Sequence, residues 1–473
     1  MKERIVYRLF IILMWNMTFL GLAQGQIQDS ILPFDSYIKI VKEHHPFAYR
    51  ADILLDIGDA KILKARGAFD PKISSSVDHK SFDDKNYFTL FQGGLGVPLW
   101  FGSDLNVKFD RNNGQFLNNS DFLPDQGLLG PGIDLVLGRG LFTDERRMTL
   151  QKSKLMRQGN EFERALGLNE LIYQAASAYF DWQKNALKTQ LIEEVLELTQ
   201  VRFDITKESN LNGYSAAVDT LEAYIAVQDR SQKLLSYQEA LNNARFELNN
   251  YLWQNGTEAL ALRDNIGIDS LALDRMMALV AEIKVNEQDL LNNHPLLSTY
   301  QNKIDVLNVE NRLNRENLKP DLRLSYSPLI DFDNQIDNGS LFFDNYKMGA
   351  FFSYPIFTRK ERAEVKITDL KIDDTELSYI AKRQNLQTKL DQLYNSIQYL
   401  NLQLDQLTAI VRNTRLLLEA ENQKFAIGES SVFLVNSREL KYIESREKEI
   451  DLQIKILKTC GKYLSALNQM EIL

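Results

Sequence analysis

The residues from which chemistry could be built are few: His44, His45, His79 and His294, the single Cys460, the adjacent acids Asp373-Asp374, and the run Gly138-Arg139-Gly140. A metal site needs ligands at short helical or loop spacings, and the four histidines show none; two of them precede prolines at helix starts, where turn geometry accounts for them. Gly138-Arg139-Gly140 ends a strand-like run and lacks the further glycine or Gly-Lys-Ser/Thr ending that cradles a phosphate. Asp373-Asp374 falls within a heptad pattern and reads as a wet helix face. No Ser/His/Asp grouping follows from spacing. One cysteine excludes an intramolecular disulfide, and Cys460 reads as a small buried apolar residue. The chain is therefore expected to be no enzyme, with no metal and no cofactor.

The elements say more than the reactive groups. Lys2, Arg4 and Arg8 precede an apolar run from Leu9 to Leu22, followed by Ala23-Gln24-Gly25. This is the pattern of a removable secretory signal over residues 1–25; a spanning helix needs about 20 apolar residues, and this run is shorter and holds Asn16 and Thr18. The net charge of −9 argues against a nucleic-acid partner. No second long apolar run follows, so residence in a membrane would have to rest on β-strands.

The chain is a duplication. His45-Pro46 and His294-Pro295 each open a helical run whose next proline, Pro71 or Pro320, comes 25 residues later. Short alternating segments follow in both, then Phe-Thr-x-x-x-Arg (Phe142 to Arg147; Phe357 to Arg362), then a long proline-free stretch. Repeat 1 is assigned to 26–255, with a helix over 34–69, strands within 72–140 and long helices over 142–206 and 215–253. A linker spans 256–285. Repeat 2 covers 286–473, with a helix over 295–318, strands within 321–355 and long helices over 357–427 and 431–467.

Period separates rods from strands. Leu386, Leu390, Leu393, Ile397, Leu400, Leu404, Leu407 and Val411 alternate by four and three, a coiled-coil seam. Residues 356–427 contain neither Gly nor Pro, enough for a rod on the order of 100 Å long. Gly159 and Gly167 are weak points in the first rod. In the second return helix Ile443, Ile450, Ile454, Leu457 and Leu464 keep register. Alternation by two marks Leu322, Leu324, Tyr326 and Tyr346 to Tyr354 in repeat 2. In repeat 1 it marks four segments, at Ile73 to Val77, Phe88 to Leu90, Leu105 to Phe109 and Ile133 to Leu137. Aromatics gather at strand ends (Trp100, Phe101, Phe342, Phe343, Tyr354, Phe357). Strands apolar outward and polar inward, girdled by aromatics, are the signature of an outer-membrane barrel. Hydrocarbon tolerates no unpaired sheet edge, and bacterial barrels need eight strands or more, so four to six strands per chain call for a barrel shared among copies.

With both repeats in order and the turn Lys424-Phe425-Ala426-Ile427-Gly428-Glu429-Ser430-Ser431 before a return helix, the mature chain resembles the TolC-like outer-membrane efflux proteins. The resemblance implies a mixed α and β membrane protein and a homotrimer. Its transmembrane β-barrel is shared by the three copies in outer-membrane lipid, and its long antiparallel α-helical coiled-coil barrel stands in the periplasm. The implied partners are a periplasmic adaptor (membrane fusion) protein and an inner-membrane pump or ABC transporter. It also places adaptor-docking tips at Phe203 to Ser215 and Phe425 to Ser431, with Phe203, Gly213, Ser215, Phe425, Gly428, Glu429 and Ser430 as contact residues. Gly suits the chain reversal and Ser the cap of the next helix.

Two departures stand out. Lys207 to Asn212 read as an insertion before Gly213, making the first tip longer. Where some relatives carry acidic residues at the entrance, this chain reads Phe433-Leu434-Val435-Asn436; Asn436, Asp219 and Glu222 are the candidate entrance-lining residues here, although a solvated helix face explains the two acids more simply. Segment 88–112 either widens the barrel or folds as an accessory hairpin. Two functions follow: a passive exit duct of a tripartite efflux or type I secretion system, gated at its helical tips, or a pore-less periplasmic coiled-coil scaffold or adaptor. The strand set favours the first.

Overall fold

The computed structural model describes residues 31–262, 267, 269, 272–331 and 344–473. The signal-like segment, part of the linker, and Phe342 and Phe343 lie outside them. The chain divides into two compact units: Met1–Arg50, Gly167–Leu290 and Thr388–Leu473 form one, and Ala51–Leu166 and Leu291–Gln387 form the other.

The helices are α1 (Phe34–His44), α2 (Pro46–Arg66), α3 (Glu145–Leu211), α4 (Ala217–Asn249), α5 (Ala272–Val285), α6 (Glu287–Asn292), α7 (Pro295–Glu316), α8 (Arg359–Ala426) and α9 (Val432–Ala466). The segment read as one helix over 34–69 is two, because Pro46 has no N–H and His45 adopts extended backbone (φ −72°, ψ 136°). The His-Pro pairs have a common local purpose. His45 Nδ1 accepts from the Phe47 N–H at 3.1 Å, and His294 Nδ1 accepts from the Leu296 N–H at the same distance. Each imidazole satisfies one orphan donor of its helix, which requires the neutral ring.

α3 has 67 residues and α8 has 68, about 100 Å each at 1.5 Å per residue. Along α8 all eight seam positions are buried or half-buried, while Leu402 and Ile410, off the seam, are 58 % and 48 % exposed. In the first unit, Leu191, Ile192 and Val195 of α3 pack on Ile443 and Ile450 of α9. Farther along, Phe34 of α1 lies 5.2 Å from the Tyr179 ring and 5.1 Å from Phe180, and Tyr37 and Tyr179 donate to the Ala175 and Leu32 carbonyls. Cys460 is fully buried, and burial pushes its thiol up to about 12. The glycines within the first rod mark close approach: a Cβ at Gly167 would stand 3.0 Å from the Phe47 ring, and one at Gly159 the same distance from Asn302 Oδ1.

The second unit holds one antiparallel sheet of β1 (Lys72–Phe82), β2 (Lys85–Pro98), β3 (Asp104–Asn113), β4 (Leu128–Val136), β5 (Asp321–Pro328) and β6 (Tyr346–Ser353), hydrogen-bonded in that order. The short Ile330–Asp331 segment also pairs with β4. Repeat 1 thus supplies four strands and repeat 2 supplies two, as the alternation predicts. Asp83 and Asp84 (φ 56° and 51°) close the β1–β2 hairpin, the primed-turn geometry that matches strand twist. Below the sheet, α2 packs on α3 through Arg164–Asp52 (2.8 Å) and Arg157–Asp59 (3.0 Å), and Asn302 of α7 donates to the Leu155 carbonyl at 2.9 Å.

Burial lowers the pKa of His45 below 6.5, so the unfolded chain takes up the proton first. The associated stability is present above pH 6.5 and is lost as pH falls. We expect the thermal midpoint to drop between pH 7 and pH 5, and to drop less in His45→Asn, which keeps an acceptor for the Phe47 N–H. Leu390→Ala, at a fully buried seam position, is expected to cost about 2–5 kcal/mol, against under about 0.5 kcal/mol for Leu402→Ala, measured by denaturant unfolding.

Candidate functional site

Two regions have the makings of a site, one in each unit. The first is the pair of turns where the rods reverse. α3 ends at Leu211 and Gly213 takes φ +79°; α8 ends at Ala426 and Gly428 takes φ +81°. Each glycine N–H donates three residues back, to Asn210 O (2.9 Å) and Phe425 O (3.1 Å). The next N–H donates five back, from Tyr214 to Ser209 O (2.8 Å) and from Glu429 to Lys424 O (2.9 Å). Both are Schellman turns, which need a left-handed residue that glycine supplies without a Cβ penalty.

This identity corrects the sequence alignment of the tips. Lys207 to Leu211 are helix, not an inserted loop, because nothing between Phe203 and Leu211 disfavours the helix until Gly213 stops it. With the glycines superposed in register, the counterpart of Phe425 is Asn210. Phe203 sits ten residues before Gly213, its ring tilted against that of Tyr224 of α4 at 5.3 Å, and is not part of the turn.

The serines act differently from the expectation as well. Ser215 Oγ donates to the Thr206 carbonyl at 3.3 Å, and Ser430 Oγ donates to Glu421 Oε1 at 2.6 Å, so both tie the turn back to the incoming rod. The caps are one residue later. Ser431 Oγ accepts from the Leu434 N–H at 3.3 Å, and at Ala216 the Asp219 carboxylate accepts from the backbone N–H at 3.2 Å. Glu429 is exposed, Phe425 half-buried, and an open groove of about 770 Å³ runs between the turns, lined by Val201, Ile205, Tyr214, Asp219, Phe425 and Val432 among others.

Behind the turns lies an ionic cluster that sequence reasoning missed. Glu439 of α9 receives Arg202 of α3 at 2.6 Å, Arg230 of α4 at 3.2 Å, and the Thr199 hydroxyl at 3.0 Å; Arg202 also donates to Asn436 Oδ1 at 3.0 Å. Glu439 is 1 % exposed, Arg230 4 %, Arg202 7 % and Asn436 8 %. Asn436 is thus held inside the helix packing and does not line an entrance. Asp219 is occupied as a cap, and of the three candidate lining residues Glu222 alone has no hydrogen-bond or ion-pair partner among the described residues. A signal for the cluster was present: Ile192, Val195, Thr199, Arg202 and Thr206 continue the three-four seam of α3, with polar residues where apolar ones stood.

The second region is the sheet. Cross-strand neighbours Ile73, Leu95, Val107 and Pro131 share a face with Leu105, Ile133, Tyr326 and Met348. This face is exposed in the single chain: Ile73 is 87 % exposed, Met348 70 % and Phe352 67 %. The other face carries Asp104, Asn106, Lys108, Asp134, Arg323 and Ser325, with Asn106 donating to Asp134 at 2.8 Å. Trp100, Phe142, Tyr354 and Phe357 stand exposed at the end where the helices begin, and Tyr87 packs on Phe116 (4.8 Å) at the other end. Apolar exposure on that scale suits lipid, not water. Among the described residues no helix is long and apolar enough to cross a membrane.

Residues 287–458 match the family described as Outer membrane efflux protein. No curated protein matches the chain. Solved structures with the same fold include the Vibrio cholerae outer membrane protein VceC, at 13 % identity over 92 % of this chain and 96 % of that one (TM-score 0.65). The open state of the Neisseria gonorrhoeae MtrE outer membrane channel matches at 13 % identity over 92 % and 88 % (0.64). The Campylobacter jejuni CmeC outer membrane channel matches at 13 % over 92 % and 85 % (0.62). CmeC and MtrE are described as outer membrane channels and VceC as an outer membrane protein.

Glu439→Gln would leave two buried guanidinium groups without their counter-charge and is expected to destabilise the helical unit by about 3–5 kcal/mol in denaturant unfolding. Gly213→Ala and Gly428→Ala meet open space and suffer only the left-handed backbone. About 1–2 kcal/mol each is expected, additive in the double variant because the turns share no bonds.

Proposed function

We propose that this chain, which carries the Outer membrane efflux protein domain over residues 287–458 and the fold of solved outer-membrane channels, is the outer-membrane exit duct of a tripartite efflux or type I secretion system. Its sheet lies in the outer membrane and its helical unit in the periplasm. The observation that carries this reading is the sheet, whose exposed apolar face and open edges have no role in a water-soluble scaffold.

The working form is a homotrimer. Ile367, Leu370, Leu377 and Ile380 line α8 off its seam and stay 45 to 67 % exposed in the single chain, a second apolar stripe suited to a neighbouring copy. The turns at Gly213-Tyr214-Ser215 and Gly428-Glu429-Ser430, with Phe425, form the surface for a periplasmic adaptor, which couples the duct to an inner-membrane pump or ABC transporter. Transport through the duct is passive, and energy comes from the partner. Opening separates the turns, which places Glu222 at the widening entrance and leaves the deep cluster at Glu439 as the helices' shared anchor.

Purified protein from outer membranes should migrate at the mass of three mature chains unheated and of one mature chain, below the 54.6 kDa of the full sequence, after boiling, and should conduct ions in planar bilayers. A non-conducting monomer in the soluble periplasmic fraction would end the proposal. Glu429→Lys with Tyr214→Ala is expected to leave trimer and conductance intact while lowering resistance to the pump's substrates at least several-fold in growth assays.

A further inference from the structure

β2 and β3 stand inside the sheet, between β1 and β4, and not as a hairpin beside it. The register carries a single apolar face through all six strands. Val97 pairs with Leu105, Leu105 with Ile133, Ile133 with Tyr326 and Tyr326 with Met348, while Ile73 and Leu95 extend the same face to β1. β1, β2 and β3 are 11, 14 and 10 residues long. Each meets the 9–11 residues that a tilted strand needs to cross hydrocarbon. An accessory hairpin in water needs neither that length nor a lipid-compatible face. The outer edges of β1 and β6 have no strand partner among the described residues. Every neighbouring pair is antiparallel and the strand number is even, so β6 of one copy meets β1 of the next in the antiparallel sense without a break in the pattern.

We propose that each copy gives all six strands to the wall, that β1 pairs with β6 of the neighbouring copy, and that three copies (3 × 6) close an eighteen-stranded barrel. The inference rests on the trimeric duct described above. Barrel diameter grows roughly linearly with strand number, and 16 to 18 strands enclose an aqueous channel. Against four strands per copy, the lumen is about 1.5 times wider and about 2.2 times larger in cross-section. Lys108, Asn106 and Asp104 of β3 then line the water and Leu95 and Val107 face lipid.

The test uses single cysteines in the intact trimer, where native Cys460 stays silent because it is buried and its thiol is pushed up to about 12. A charged methanethiosulfonate reagent added to the aqueous chamber should change the current through Lys108→Cys and leave Leu95→Cys and Val107→Cys untouched, the latter two being labelled only by a lipid-dissolved thiol reagent. Oxidation of Ser76→Cys, Asp78→Cys or Lys80→Cys, each combined with Lys347→Cys, should give at least one boiling-resistant three-chain band. A conducting trimer whose current ignores modification at Lys108→Cys, or in which none of these pairs links, would overturn the eighteen-stranded wall while leaving the duct standing. Absence of trimer or conductance would overturn both.

Discussion

Backbone N–H and C=O groups have nothing to bond with in hydrocarbon, and the molecule is organised around that restriction. Among the described residues the six long strands form five ladders with one another and leave the two outer edges of the sheet without a strand partner. In the proposed duct the membrane-facing state is therefore a property of an assembly. The unclosed sheet and the apolar stripe of α8 off its seam, both in the second unit, make the same demand, one by hydrogen bonding and the other by apolar area.

What could be read in the sequence was whatever is local. Alternation by two places a strand wherever Leu105-Val107-Phe109 or Leu322-Leu324-Tyr326 occurs, and the three-four seam from Leu386 to Val411 holds because a residue's side of a long helix follows from counting alone. The His-Pro starts were legible for the same reason. Strand order was not, since the position of segment 88–112 between β1 and β4 depends on partners far along the chain.

The tips were misjudged where residue identity was weighed above backbone geometry. Two phenylalanines near two turns invited their pairing, yet the positive φ at Gly213 and Gly428 sets the true register and makes Phe203 a helix-face residue. Arg202, Arg230 and Glu439 were passed over because charges on amphipathic helices ordinarily face solvent. Their seam spacing argued otherwise. Such a cluster, two cations on one anion, gives α3, α4 and α9 a fixed alignment that apolar side chains, free to slide by a turn, would specify less sharply.

The two reversals have one backbone and unlike side chains: Asn210 against Phe425, Tyr214 against Glu429, Ala216 against Ser431. Duplication has thus kept the hinge as a template and let the decoration drift apart. A ring of copies would consequently display two kinds of knuckle in alternation, one bearing Asn210 and Tyr214 and the other Phe425 and Glu429, so that anything gripping it from below would have to be bilingual or to favour every second foothold.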